Sequence, residues 1–258
     1  MHGWQETRNK MIKQRYAILD NLRGLILISM IVYHTVWDLV YIFDNDWKWY
    51  ESDIAFLWQQ SICWGFILLS GFCFPLGKHK LKRGLTVFGA GALVSLVTYV
   101  AMPENIVIFG VLTMLGSAML LMIPLEKILV KCNPMIGFFV MFVLFGITRN
   151  INKGVLGFGP WEICRLPEAL YANLFTAYIG FKPRGFFSTD YFSLFPWVFL
   201  FMTGYFLHGI FVKYHLLERL QTKEIRGLSL LGRQSLIIYM LHQPVIYGVL
   251  FFVYWFIL

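Results

Sequence analysis

Hydrophobic residues fall into seven long apolar runs, separated by short segments rich in charged residues, proline or glycine. Because about 20 apolar residues are enough for a helix to cross the hydrocarbon core of a bilayer, each run predicts a transmembrane helix. The runs cover residues 21–43, 53–75, 84–102, 105–125, 134–149, 191–212 and 234–257. The sequence therefore predicts an all-α integral membrane protein, a bundle of about seven transmembrane helices forming a single domain over residues 1–258.

The composition supports a chain whose solvent is largely lipid. Hydrophobic residues make up 58% of the chain and charged residues only 14%, whereas soluble domains carry about 25% charged residues. This excludes an ordinary soluble globular protein. The aromatic share of 18% excludes a disordered chain, because such chains lack the apolar surface that folding requires.

The basic residues predict how the bundle is oriented. If the N-terminus is cytoplasmic, 16 of the 22 Lys and Arg residues lie on the inner side, as the positive-inside rule requires. Those inner residues are Arg8, Lys10, Lys13, Arg15, Arg23, Lys78, Lys80, Lys82, Arg83, Lys127, Lys131, Lys213, Arg219, Lys223, Arg226 and Arg233. The net charge of +8 is thus a topology signal, and nucleic acid is not an expected partner.

The apolar segment 166–181 lies in the long outer loop and is short for a membrane span. It predicts a re-entrant or interfacial helix. As an eighth span it would move the basic segment 213–233 to the outer side, which the charge distribution disfavours.

Few ionisable residues lie deep in the predicted spans, and those that do are candidates for function because placing them in lipid is costly. His34 and Asp38 are four positions apart on the first span and share a helix face, so they can touch. An aspartate beside an imidazole favours its protonated form and fixes which ring nitrogen carries the proton, which suits a general base. The alternative is that both side chains only hydrogen-bond neighbouring helices, or that Asp38 reaches the outer interface.

Arg23 lies on the same stripe of the first span as His34. The two residues are eleven positions apart, about 20° past three full helical turns, which places them about 16 Å apart along the helix. A cation at the inner entrance and a base deep in the same groove suit a ligand with a phosphate head and a long thin arm. Coenzyme A, whose pantetheine arm carries a thioester, has this shape.

Several short motifs follow one another along the chain. The first helix carries Leu19-Asp20-Asn21-Leu22-Arg23-Gly24-Leu25, then Met30-Ile31-Val32-Tyr33-His34 and Trp37-Asp38-Leu39. Later motifs are Phe109-Gly110-Val111-Leu112, Asp190-Tyr191-Phe192-Ser193-Leu194-Phe195-Pro196-Trp197 and Ser235-Leu236-Ile237-Ile238-Tyr239-Met240-Leu241-His242-Gln243-Pro244. In this order they resemble the heparan-alpha-glucosaminide N-acetyltransferase catalytic-domain family. The Arg23 to His34 spacing is also similar to that of integral membrane acyltransferases that O-acylate surface polysaccharides, while Thr113 stands where the fourth-span motif leads us to expect histidine.

The resemblance implies a transmembrane acyltransferase that moves an acetyl group from cytosolic acetyl-CoA to an amine or hydroxyl of an acceptor on the far side. The acceptor would be a glycan or a small molecule. His34 would act as base or acyl carrier with Asp38 as the second catalytic residue, and Arg23 and Asp20 would hold the coenzyme. No metal is expected. The family also implies an integral protein of a bacterial plasma membrane, with the lipid bilayer as partner, and leaves a homodimer open.

On the seventh span, Ser235, Tyr239 and His242 follow an i, i+4, i+7 face, and Pro244 removes one backbone hydrogen bond. We expect these three side chains to contact the coenzyme, with Arg233 at the inner end adding a phosphate contact. Alternatively, His242 makes an interhelical hydrogen bond, and Arg233 serves orientation and lipid headgroup binding.

Asp190 and Trp197 enter the sixth span from the outer side and are candidates for binding the acceptor. A helix N-cap is the alternative role for Asp190. A different overall function also stays open, a proton-coupled transporter that uses Asp38, His34 and His242 as a relay, although we find no inverted repeat of the kind common in transporters.

Overall fold

The computed structural model describes residues 16–220 and 224–256, and it is 74% helical. Within these residues seven helices are long and apolar enough to cross a membrane, which confirms the all-α membrane bundle. They are α1 (Ala17–Tyr41), α2 (Asp53–Cys73), α3 (Lys80–Ala101), α4 (Val111–Leu129), α5 (Pro134–Ile147), α7 (Leu194–Lys213) and α9 (Ser235–Phe256). For α5 the candidate span continues past the α-helix to Lys153. Arg8, Lys10, Lys13, Arg15 and Lys223, which entered the charge distribution, lie outside the described residues.

The described residues also form two short α-helices, one hairpin and five short 3-10 helices, at Lys48–Glu51, Pro103–Asn105, Ile151–Lys153, Glu168–Leu170 and Leu216–Leu220. Helix α6 (Leu174–Ile179) lies in the long loop between α5 and α7, and α8 (Arg226–Arg233) precedes α9. The same long loop begins with an antiparallel pair that the sequence did not predict, β1 (Val155–Phe158) and β2 (Trp161–Arg165). Segment 166–181 does not form an eighth span, because its α-helix has six residues and a span needs about 20.

The chain divides into two compact units. Unit 1 contains the chain up to Phe66 together with the chain from Leu216 onwards, and unit 2 is Ile67–His215. The division falls within α2, so that unit 1 holds α1, most of α2, α8 and α9. That the whole chain acts as a single domain stays a prediction.

Unit 1 has a small apolar core between α1 and α2. Leu27, Met30 and Ile62 form this core. Near the start of α1, a Cβ at Gly24 would collide with the backbone carbonyl of Leu228, so the absence of a side chain lets α8 pack directly on α1. This contact brings the charged end of α8 next to the first turns of α1.

Unit 2 packs its helices through a similar close approach. A Cβ at Gly71 on α2 would collide with the carbonyl of Phe201 on α7. Phe201 is fully buried. The backbones of α2 and α7 therefore touch at this point, as helices in membranes do where a small residue allows it.

Candidate active site

Two histidine rings meet between α1 and α9 in unit 1. The imidazoles of His34 and His242 have centroids 4.8 Å apart, with an interplanar angle of 60°. Nδ1 of His242 lies 2.5 Å from the carbonyl oxygen of Tyr239. Because a carbonyl can only accept, this nitrogen carries the proton and Nε2 of the neutral ring keeps its lone pair. Nε2 is buried and has no hydrogen-bond partner among the described residues.

His34 is half-buried on α1. Its ring packs edge-on against Tyr33, with centroids 5.9 Å apart, as well as against His242. In the part of the chain that the structure describes, no group hydrogen-bonds the His34 ring nitrogens. A ring that is held by packing but not hydrogen-bonded can exchange a proton with a bound reactant.

Asp38 is fully buried, and its partner is not the predicted one. Oδ1 accepts a hydrogen bond of 2.5 Å from Nε2 of Gln243 on α9, whereas no hydrogen bond joins Asp38 to His34. The expected direct fixing of the His34 tautomer by Asp38 is therefore wrong for this structure. The reason is the packing of α9 on α1, since the Gln243 amide reaches Oδ1 and supplies the hydrogen bond that a buried carboxyl group needs. The catalytic assignment of Asp38 itself stays a prediction.

Gln243 is the residue of this site that sequence reasoning missed. It was visible only as part of the seventh-span motif, next to His242. A signal was available in principle, because the one acid deep in a span requires a donor from another helix, and Gln243 is an uncharged amide within the predicted last span. Pairing the two needed the knowledge that α1 and α9 are neighbours.

Tyr239 and Ser235 lie on α9 as the spacing predicted. The half-buried ring of Tyr239 has its centroid 5.3 Å from that of His242 and 6.4 Å from that of Phe66. Ser235 is the first residue of α9 and is half-buried. Contact of either residue with a coenzyme stays a prediction.

Four charged side chains meet where α8 packs on α1. Arg23 Nη1 lies 3.3 Å from Asp20 Oδ1, and Arg233 Nε lies 3.8 Å from Asp20 Oδ2. A second contact of Arg233 is an ion pair with Glu224. Asp20 thus lies between the two guanidinium groups.

Asp190 and Trp197 belong to unit 2. Asp190 Oδ2 accepts a hydrogen bond of 3.2 Å from the backbone N–H of Val111, so it caps the start of α4 and not its own helix. Trp197 is 4% exposed, and the Arg149 guanidinium lies 4.6 Å from the centroid of its ring. Their assignment to acceptor binding stays a prediction.

Next to Asp190, a tyrosine ties α6 to the start of α7. The hydroxyl of Tyr191 donates to the carbonyl of Ala177 at 2.6 Å. Burial raises the pKa of Tyr191 to about 12, because removing the ring from water disfavours the phenolate. At physiological pH this side chain is a neutral donor that ties the loop between α5 and α7 to the start of α7.

Eight of the ten predicted site residues belong to unit 1. Along α1 and α8–α9 the structure brings together a charged group at one end and the two histidines deeper in the span. Among the described residues, no group of three His, Cys, Asp or Glu side chains could hold a metal ion. Unit 1 therefore combines two guanidinium groups beside one carboxylate with two adjacent imidazole rings.

The motifs resemble those of a known family, and comparison with known proteins tests this resemblance. Searches among curated proteins and among solved structures gave no match. A family model described as heparan-alpha-glucosaminide N-acetyltransferase, catalytic, matches residues 15–244, which include α1, the outer loop and the first half of α9. The chain therefore belongs to the heparan-alpha-glucosaminide N-acetyltransferase catalytic family, a family of membrane acetyltransferases.

Proposed function

We propose that the protein transfers an acetyl group from cytosolic acetyl-CoA to an amine or hydroxyl of a sugar-like acceptor on the outer side of a bacterial plasma membrane. The observation that carries the proposal is the His34 ring, which lies beside His242 without a hydrogen bond of its own in the described structure. Family membership supplies the reaction type.

In the direct route, His34 takes a proton from the acceptor amine or hydroxyl as its nitrogen or oxygen attacks the thioester carbonyl. The carbon–sulfur bond then breaks, and the proton passes from His34 to the departing thiolate of coenzyme A. The products are an acetylated acceptor and free coenzyme A, so atoms and charge balance without a further reactant. In the alternative route, His34 first accepts the acetyl group and then passes it on.

The charged group of α1 and α8 supports binding of the coenzyme phosphates at the inner side. Guanidinium groups bind phosphate oxygens in a two-point geometry, and Arg23 and Arg233 are held together by Asp20. The pair of Arg233 with Glu224 involves half-exposed side chains and is therefore weak. A phosphate can replace Glu224, while Asp20 remains beside both guanidinium groups.

Further contacts belong to the same proposal. Three side chains of α9 would lie along the pantetheine arm. Ser235 is in the first turn of the helix, and Tyr239 and His242 follow further along it. Asp190 and Trp197 would serve the acceptor. For Trp197 this requires a shift of its neighbours, because only 4% of it is exposed.

The test is acetyl transfer by purified protein in detergent, with acetyl-CoA as donor and glucosamine as a soluble amino-sugar probe. Replacing His34→Asn should lower turnover by about 10²- to 10⁴-fold, the usual contribution of a general base. His215→Asn is the matched control. His215 is exposed and has a φ of 55°, a conformation that asparagine tolerates, so this variant should keep full turnover.

Full turnover of the His34→Asn protein would overturn the role of His34. Absence of acetyl transfer by the unaltered protein, combined with proton-driven uptake of a solute into proteoliposomes, would favour the transporter instead. Mass spectrometry of protein mixed with acetyl-CoA alone separates the two routes, because only the covalent route leaves an acetyl group on the His34 peptide.

A further inference from the structure

We propose that Gln243 is a positioning residue, which pairs with the protonated carboxyl group of Asp38 and thereby fixes His242 beside His34. The inference rests on the proposed function and deepens it, since it assigns a role to a residue outside the predicted site. It also changes the role of Asp38, from an anion that orients His34 to one half of a neutral pair that holds α9 against α1.

The first observation is the geometry of the Asp38–Gln243 pair. Gln243 Nε2 donates to Asp38 Oδ1 at 2.5 Å, and Asp38 is fully buried. The hydrogen bond joins residues 205 positions apart. It therefore connects α1 and α9 and is not a local contact within one helix.

The second observation is that each partner keeps one buried oxygen without a donor. Asp38 Oδ2 and Gln243 Oε1 have no hydrogen-bond partner among the described residues. Two such acceptors in a membrane-spanning segment are costly. One hydrogen satisfies both, because a proton on Oδ2 can be donated to Oε1 while Oδ1 accepts from Nε2. This is the two-point pair of a carboxylic acid with a carboxamide, and it carries no net charge.

The third observation is the position of the pair next to the histidines. Gln243 follows His242 on α9, and Asp38 lies about one turn after His34 on α1. Consecutive residues of a helix point about 100° apart, yet both His242 and Gln243 contact α1. Rotating or sliding α9 against α1 would break one of these contacts. The pair thus fixes the register that keeps the two imidazoles together.

Three variants test the role of the pair in the full-length protein. Gln243→Met keeps the length of the side chain but removes both hydrogen bonds. The double variant Asp38→Asn with Gln243→Glu exchanges acid and amide without changing the length of either side chain, so the two-point pair can form again with its roles reversed. Gln234→Met is the matched control, because Gln234 is exposed and directly precedes α9.

The measurements are kcat and KM for acetyl-CoA with glucosamine as acceptor, together with the Tm of each variant in the same detergent. Gln243→Met should lower kcat by about 100-fold, the cost of misplacing reacting groups by about 1 Å, and change KM much less. The exchanged variant should recover most of this kcat. Gln234→Met should behave as the unaltered protein. A residue that served stability alone would lower Tm and leave the kcat of the folded fraction unchanged.

Two results would overturn the role of Gln243. One is an unaltered kcat for Gln243→Met. The other is an exchanged variant with the Tm of the unaltered protein but with as little activity as Gln243→Met, which would mean that the carboxyl group is needed at Asp38 itself. If the unaltered protein transfers no acetyl group, the proposed function fails, and the pair is judged by Tm alone: the exchange must then restore the Tm lost by Gln243→Met.

Discussion

The contact between α1 and α9 in unit 1 and the contact between α2 and α7 in unit 2 hold spanning helices together by different means. Polar contacts help to join this side of unit 1: the Asp38–Gln243 pair links α1 to α9, and Asn45, in the loop after α1, donates a hydrogen bond of 2.7 Å to Tyr254 on α9. Between α2 and α7 the backbones meet where Gly71 faces the carbonyl of Phe201. One contact depends on particular donors and acceptors, the other on the absence of a side chain.

The burial of the two helices shows what this difference means. Along an 18-residue apolar stretch of α7 61% of the residues are buried, but along the corresponding stretch of α9 only 6%. Helix α7 is held by dense packing on several sides, whereas α9 presents most of its surface away from the protein. For α9 a few polar contacts must therefore fix position and register. Chemistry that needs two helices in exact register is better supported by such contacts than by apolar packing, which allows small shifts.

The largest effect should come from filling the close approach in unit 2. Gly71→Ala places a methyl group against the Phe201 backbone, and we expect it to lower the free energy of unfolding by about 3 kcal/mol, the upper end for an overpacked core. The measurement is thermal unfolding in detergent. Gly248→Ala on α9 is the control, because no atom lies within 4 Å of its added methyl group. Equal Tm values for both variants would contradict the close approach.

The next largest effect should come from the contact between His34 and His242, which we expect to act together in the reaction. In a double-mutant cycle of His34→Ala and His242→Ala, the losses in turnover should not add, and the coupling should be about 2 kcal/mol, as for residues in contact. A cycle of His34→Ala with His208→Ala provides the comparison with a buried histidine of unit 2. Additive losses in the first cycle would separate His242 from the chemistry.

A smaller effect should follow from removing one cation at the charged end of α1. Arg23→Gln should raise KM for acetyl-CoA about tenfold, or about 1.4 kcal/mol, because a charge-assisted contact to phosphate is lost. Lys131→Gln removes an exposed charge of unit 2 and should leave KM unchanged. If Arg23→Gln lowered kcat alone, the arginine would not bind the coenzyme phosphates.

The smallest effect should come from the hydrogen bond that joins the loop after α1 to α9. Tyr254→Phe removes the hydroxyl that accepts from Asn45 and should cost about 0.5–1 kcal/mol of stability, the net value of one hydrogen bond. Tyr247→Phe on the same helix is the control, because the ring of Tyr247 packs on Phe43 in a similar way. Equal stability of the two variants would show that this hydrogen bond adds nothing to the contact.

The spans were predictable from the sequence because their length and hydropathy follow from the thickness of the bilayer. The residues at which the helices begin and end were less predictable. Helix α3 begins at Lys80 and not at residue 84, since long basic side chains can extend to the interface while their backbone remains helical. Helix α4 begins at Val111 and not at residue 105, because Phe109 takes a left-handed φ of 56°, which interrupts any helix before it.

The site was predictable in part. The depth of His34 and the stripe that joins it to Arg23 follow from helical periodicity alone. The partner of Asp38, the packing of α8 on α1 and the capping of α4 by Asp190 do not, because each joins residues distant in sequence. Hydropathy reports transfer of a segment into lipid and carries no information on which helices become neighbours.

The distance of 205 positions between Asp38 and Gln243 also has a consequence for synthesis. At about 5–20 residues per second, a ribosome needs about 10–40 s to reach Gln243 after Asp38 has been made. During this interval α1 enters the membrane with a carboxyl group whose eventual donor does not yet exist. The pair between α1 and α9 can therefore form only after the last span has been made.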